Sequence, residues 1–307
     1  AFGVYYWPNT AAKDGRPWKK RDGYANPDAK CDWKLLRAVT DSTRVLSLAY
    51  YFSGNEKFAK HAALLLRTWF LDKKTRMNPN AAYSKMIPGV REKGYAVAGF
   101  GYRFRTLYDA AGILESSEAW TREDKEAMQK WTRDFMDWVE ATPWGKLERS
   151  SLNNHTTFYY LNRTLQALYT GDKAEANRLL KAYVQDKMHI QFAPDGTQPH
   201  EMIRVNNYDY HRVNLLAAFD LAQMADRFDN VDIWNYKGPG GGSLKKSLDY
   251  LVPYFLEEKT WEHFPGKPFK LSGQSRWRLL RRAALGFKDK RYERLAERIP
   301  GYNYLYL

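Results

Sequence analysis

The sequence predicts a single all-α domain over residues 1–307, an α/α toroid or incomplete α/α barrel of stacked helical hairpins. Three observations predict it: helical periodicity over most of the chain, sparse strand signals, and an internal echo. Leu48-Ala-Tyr-Tyr-Phe-Ser-Gly-Asn55 returns as Leu165-Gln-Ala-Leu-Tyr-Thr-Gly-Asp172. In both, a glycine ends one helix and Asn or Asp opens the next. Such punctuation marks helical hairpins in series, and a series that closes on itself is a toroid.

The first thirty residues read as loop, with Pro8, Pro17 and Pro27 alternating with Gly15, Gly23 and charges. Apolar residues at Leu35, Leu36, Val39, Leu46 and Leu48 then place a helix over 32–52, closed by Gly54. A second helix covers 56–71. Pro79 and Pro88 make 78–91 a loop. Helices follow over 102–114 and 121–140. The latter opens on Thr121 as N-cap with Asp124 at the third helical position, close to a capping box, and stops before Pro143. Further helices are expected over 156–169, 173–189, 208–228, 244–257 (kinked by Pro253), 275–286 and 290–298. The glycines from Gly238 to Gly242 form a turn too short to link domains.

Composition narrows the partners. Of 307 residues, 44% are hydrophobic and 27% charged, which is globular rather than disordered. Lys and Arg outnumber Asp and Glu by 49 to 35, a net charge of +14. That field draws anionic polymers, nucleic acid or acidic polysaccharide alike. Aromatics reach 16%, several of them in Pro/Gly loops such as Tyr5-Tyr6-Trp7-Pro8, where a ring stacks on a sugar or a base as readily as it fills a core. Cys31 is the only cysteine, so an intrachain disulfide and a thiolate metal site are excluded. No apolar stretch is long enough to span a membrane. The chain starts abruptly at Ala1, and a secreted or periplasmic protein with its signal peptide removed is expected.

Four polar residues carry the chemistry: Asn154, His155, Arg204 and Tyr210. All lie in polar turns that open helical segments. Together they fit β-elimination on a uronic acid polymer. The C5 proton of a uronate is hard to remove because the adjacent carboxylate repels developing charge. Fixed donors must neutralise that carboxylate, a base must reach C5 and an acid must reach the leaving O4. Asn, His and Arg supply the donors and Tyr the proton transfer. Each residue also has an ordinary role. Asn154 and its neighbours favour a helix cap. Arg204 lies three residues after Glu201, a helical pair spacing. Tyr210 suits an amphipathic helix, and Tyr208 is its rival.

Ordered motifs extend the argument. They are Tyr6-Trp7-Pro8-Asn9 with Gly15, Trp18, Arg21, Gly23 and Pro27; Thr75-Arg-Met77-Asn78-Pro-Asn80 with Tyr83 and Gly89; Asn153-Asn154-His155; and Asp195-Gly196 with Gln198-Pro199, Glu201, Arg204, Tyr210 and Asn214-Leu215. These blocks resemble the alginate lyase family, the α/α-toroid polyuronate lyases, over most of the chain. The resemblance implies a cofactor-free, metal-free polysaccharide lyase, expected as a monomer, acting on alginate or on glucuronan. It implies that Asn154 and Arg204 neutralise the carboxylate, that Tyr210 is base, acid or both, and that His155 assists or serves as base for the opposite C5 epimer. By the same analogy, residues 1–31 form a lid, with Tyr6, Trp7, Lys20 and Arg21 on the polymer, and Asn80, Tyr83, Lys85, Tyr208 and His211 line the cleft. Lys85 stands where Gln is usual, and Val90 to Gly99 departs from the family pattern, so the exact polymer stays open.

Mannuronate and glucuronate share their C4 and C5 configurations, so one tyrosine serves both. Guluronate is inverted at C5 and needs groups on two faces, for which His155 and Tyr210 are the pair. Other readings have thinner support. The histidines lack metal-ligand spacing. A toroidal glycoside hydrolase needs two facing carboxylates, with Asp195, Glu201 and Asp209 as candidates. Arg276-Trp-Arg278-Leu-Leu-Arg281-Arg282 is the best support for a nucleic-acid binder, a partner not expected here.

Overall fold

Helices carry the described chain. The computed structural model describes residues 2–29, 32–93, 101–263 and 273–302. Cys31 and the 94–99 part of the divergent segment lie outside them. The helices are α1 (Trp33–Ser53), α2 (Glu56–Leu66), α3 (Gly101–Leu114), α4 (Arg122–Ala141), α5 (Pro143–Ser150), α6 (Asn154–Tyr169), α7 (Lys173–Tyr183), α8 (His189–Gln191), α9 (Pro199–Met202), α10 (Asn207–Ala225), α11 (Leu244–Phe255), α12 (Gly273–Gly286) and α13 (Arg291–Glu297). A two-residue ladder, β1 (Tyr6–Trp7) against β2 (Lys19–Lys20), is antiparallel. None of the described helices is long and apolar enough to cross a membrane.

The punctuation read from the sequence is physical. Gly54 adopts φ +65° and returns its N–H to the Tyr50 carbonyl, closing α1. Asn55 then caps α2 by accepting from the Lys57 N–H at 3.0 Å. In the echo, Gly171 sits at φ +87° and Asp172 accepts from the Glu175 N–H at 2.9 Å. Thr121 and Asp124 form a complete capping box on α4.

Two expectations are corrected. The helix expected over 56–71 widens into a π turn at Arg67–Leu71, and the one over 173–189 does so at Val184–Met188. α4 ends at Ala141, before Pro143 as expected, and the helical run resumes at that proline. It opens α5, because the first turn of a helix needs no proline N–H. The α4–α5 corner is very tight: a methyl group on Gly145 would lie 1.8 Å from the Val139 carbonyl oxygen.

The chain divides into two compact units, residues 1–150 with 162–176, and residues 151–161 with 177–307. The first has α1 packed on α2 and α3, and an aromatic core in which Trp131 stacks on Phe135 at 5.5 Å while Phe70 meets Trp131 edge-on at 4.9 Å. Arg67 joins the end of α2 to the start of α4 through Asp124, with Nε 2.8 Å from Oδ1. The second unit is centred on α10, whose Phe219 packs edge-on to Trp234 at 4.8 Å, with Phe287 5.1 Å from Trp234. Three arginines of α12 are engaged within this unit. Arg276 bonds the Phe255 carbonyl and Glu257, Arg281 pairs with Glu293, and Arg282 reaches Asp220 and Gln223. Those arginines serve packing, which removes the main support for a nucleic-acid surface.

Candidate active site

Asn154, His155, Arg204 and Tyr210 all fall in the second unit. Asn153 precedes α6 and accepts from the His155 N–H at 3.2 Å, so Asn154 and His155 are the first residues of that helix. A buried network fixes this start. Gln191 donates to the Asn153 carbonyl at 3.0 Å and lies 2.9 Å from the Thr157 hydroxyl, while its own Oε1 accepts from Tyr183 at 3.0 Å.

The Arg204 turn is built by residues that look unremarkable in the sequence. Asp195 closes a turn by accepting from Thr197 N–H and Oγ1 at 2.9 and 2.7 Å. Gly196 follows at φ +86°, where a methyl group would meet the Lys246 carbonyl oxygen at 2.5 Å. Gln198 donates to the His211 carbonyl and the Ser247 hydroxyl at 3.0 and 2.9 Å, and accepts from Asn214 at 2.8 Å. Pro199 then starts α9. After Met202 the chain turns, and Asn207 closes the turn by donating to the Met202 carbonyl at 3.2 Å. The same Asn207 donates to the His263 carbonyl at 2.8 Å and accepts from Trp261 at 2.7 Å. Arg204 emerges half-buried with its guanidinium 4.0 Å from the centre of the Tyr210 ring.

Glu201 joins the two halves, and sequence reasoning missed this role. Its carboxylate accepts from the Asn154 backbone N–H and from Asn154 Nδ2, which lies 2.9 Å from Oε1 and 2.8 Å from Oε2. Its main-chain carbonyl accepts from the Arg204 N–H at 3.0 Å. Glu201 is 1% and Asn154 5% exposed. The sequence offered Glu201 only as a partner of Arg204 or a hydrolase acid; a pairing across 47 residues leaves no local signal. With Asp195 engaged in its turn and Asp209 paired with Arg212 at 3.4 Å, the three candidate hydrolase carboxylates all have other work.

Two expected cleft residues are corrected. Tyr208 (3% exposed) and His211 (0%) are buried. Tyr208 packs edge-on to Trp261 at 5.1 Å, and burial pushes its phenol well above the ordinary range. His211 stacks on Tyr250 at 5.5 Å with Nε2 3.2 Å from the Ser247 hydroxyl. The helix explains the difference. Tyr208, His211 and Leu215 follow i, i+3, i+7 spacing on the core face, and Tyr210 lies about 200° round from Tyr208. That stripe is visible in the sequence and separates Tyr210 from its rival.

The remaining expected contacts belong to the first unit. Arg21 lies over the rings of Trp7 and Tyr24 at 5.1 and 5.7 Å, Lys20 pairs with Asp22 at 3.4 Å, and Tyr6 and Trp7 are half-buried in β1. Hydrogen bonds from Gly3 N–H to the Met86 carbonyl and from Trp18 N–H to the Pro88 carbonyl tie this N-terminal segment to the 86–91 loop. Asn80 caps its own turn by accepting from Ala82 N–H at 3.2 Å, Tyr83 is exposed, and Lys85 is half-buried.

Two buried groups give opposed pH effects. Burial pushes the Glu201 carboxyl up to about 7, against the bonds from Asn154 and the charge of Arg204. The folded state then keeps a proton that the unfolded chain releases. Stability from this source is present at low pH and lost as pH rises from about 4.5 to about 7, about 3 kcal/mol in all. Burial pushes the His211 imidazole down to about 4. There the unfolded chain binds the proton first, so stability is lost as pH falls from about 6.5 to about 4. Glu201→Gln removes the first effect alone. Its stability relative to the parent is expected to rise between pH 5 and pH 7.5 in urea unfolding; equal changes at both pH values would contradict the assignment.

The sequence profile described as alginate lyase matches residues 3–261. The crystal structure of an alginate lyase from Bacteroides ovatus is 32% identical, with 99% of this chain and 80% of that one covered at a TM-score of 0.91. Alginate lyase A1-III from Sphingomonas species A1 is 20% identical, with 88% and 73% covered at 0.60. A variant of alginate lyase A1-III complexed with tetrasaccharide gives 19%, 94% and 77%, and 0.63. No curated protein matches the chain. The fold class is the α/α toroid expected from the sequence.

Proposed function

The chain belongs to the alginate lyase family, and from that premise we propose that it cleaves β-1,4-linked polyuronate at Tyr210, with mannuronate-rich alginate as its preferred substrate. As a polysaccharide lyase acting on alginate, it binds an anionic polymer, which the +14 charge favours. In the proposed reaction, Arg204 and Asn154 take the C5 carboxylate of the bound uronate and spread its charge. Tyr210, as its phenolate, removes the C5 proton, the C5–H electrons form the C4=C5 bond, and the C4–O4 bond breaks. O4 leaves with a proton, which Tyr210 can return because proton and leaving group share one face in mannuronate. The product carries an unsaturated non-reducing end. His155, one residue from Asn154, assists neutralisation and becomes the base for guluronate, whose proton lies on the other face.

The observation that carries this reading is the stacking of Arg204 on Tyr210 at 4.0 Å. One cation then serves both the carboxylate and the negative charge that the phenol takes on. Ultraviolet absorbance of the unsaturated product, followed separately with poly-mannuronate, poly-guluronate and glucuronan, tests it. The fastest rise is expected with poly-mannuronate. A faster rise with glucuronan would move the substrate, and no rise with any would refute the reading.

Within the first unit, Tyr6, Trp7, Lys20, Arg21, Asn80, Tyr83 and Lys85 are proposed to hold anionic polymer. Replacing Lys20 and Arg21 together by Ala is expected to raise KM several-fold, and by less at high salt, since exposed charges are screened. A KM unchanged at low salt would remove them from the binding surface. Export to the periplasm or medium is part of the same proposal; fractionation of producing cells checks it.

A further inference from the structure

The Asn154 amide faces a conflict. In the proposed reaction it must donate to a substrate carboxylate, yet its nitrogen already lies 2.9 and 2.8 Å from the two oxygens of Glu201. An ionised Glu201 would stand directly behind the group that receives a second anion. Carboxylates sharing one donor in a buried site do not both stay charged. Glu201 is almost sealed from water, so solvent cannot screen the two charges.

We infer that Glu201 is the positioning residue of the carboxylate site and is protonated when a uronate binds. This deepens the proposed function and rests on it. Its side chain holds Asn154 at the start of α6, and its main-chain carbonyl holds the Arg204 N–H. One residue thus sets the spacing of both carboxylate-binding groups. Glu201 does not touch the reacting atoms in this scheme; it acts through Asn154. Burial already brings its carboxyl up to about 7, so an arriving anion completes the proton uptake near neutral pH. Arg204, on its own turn, is the charge that opposes uptake. His155 on α6 and Tyr210 on α10 are the other titratable groups that the adjoining elements bring to the site.

The test compares the parent chain with Glu201→Gln on poly-mannuronate. Both kcat and KM are read from product absorbance between pH 6 and pH 9. In the parent, KM is expected to climb above neutral pH, toward about tenfold per pH unit for a single linked proton. Glu201→Gln should flatten that climb, because an amide has no proton to take up. A variant KM that rises as steeply as the parent's would overturn the proposal while leaving the lyase reading intact. Absence of product from the parent would overturn both. A second measurement does not depend on turnover. Calorimetry of Tyr210→Phe with poly-mannuronate, in buffers of different ionisation enthalpy, counts protons bound. Uptake near pH 7.5 that disappears in the double variant with Glu201→Gln is expected; uptake that persists, or none in the single variant, would overturn it.

Discussion

Replacing Tyr210 by Phe is expected to lower turnover of poly-mannuronate by about 10³-fold or more while changing polymer affinity less than several-fold. The size follows from what the hydroxyl does. Proton transfer by one positioned group contributes roughly 10²–10⁴-fold, and here one phenol both takes the C5 proton and returns a proton to O4. The ring itself stays, so its stacking with Arg204 at 4.0 Å and the placement of that guanidinium survive. Rate measurements with binding by calorimetry separate the two effects. Normal turnover would take the base away from Tyr210. It would not pass easily to Tyr208, which packs on Trp261 with its phenol pushed well above the ordinary range.

Asn154→Ala has two expected effects of different origin. Loss of the amide removes one of the donors to the carboxylate, and a single such donor is worth about 10²–10³-fold in kcat. The same change strips Glu201 of the side-chain bonds that stabilise its ionised form. The backbone N–H of residue 154 still donates to that carboxylate, so the cost is that of lost hydrogen bonds to a charged group, about 1.5–3 kcal/mol. That cost depends on pH. Below about 7 the carboxyl carries a proton and needs the amide less, so destabilisation should be larger at pH 8 than at pH 5. Urea unfolding of the variant and parent at both pH values checks it. A loss of stability equal at both would mean that the Asn154–Glu201 bond is not charge-assisted.

Local features of the fold were legible in the sequence, because helix ends are written in local chemistry. Gly54 with Asn55, Gly171 with Asp172, and Thr121 with Asp124 form the caps their types suggest. Pro143 marks the stop of α4 and also opens α5, since a proline that follows one helix suits the first turn of the next. The two π turns, at Arg67–Leu71 and Val184–Met188, have no simple periodic signal. In the site, residue types pointed to Asn154, His155, Arg204 and Tyr210, and the fold places all four in one unit. The supporting cast was harder to read. Gln198 bonds Asn214, and Glu201 bonds Asn154, across gaps of 16 and 47 residues. Sequence order supplies both partners but not their meeting. The burial of His211 was recoverable from its i+3 and i+4 spacing to Tyr208 and Leu215, a stripe overlooked beside the more suggestive chemistry of its neighbours.

The central claim is that the glycosidic bond breaks by elimination across C4 and C5. Mass spectrometry of the oligosaccharides released from poly-mannuronate tests it most directly, because elimination adds no water. Each cut is expected to leave a non-reducing end lighter by one water than the hydrolytic product, with no ¹⁸O taken from labelled water at C1 of the new reducing end before anomeric exchange. Products of full hydrolytic mass, carrying that label, would contradict the account.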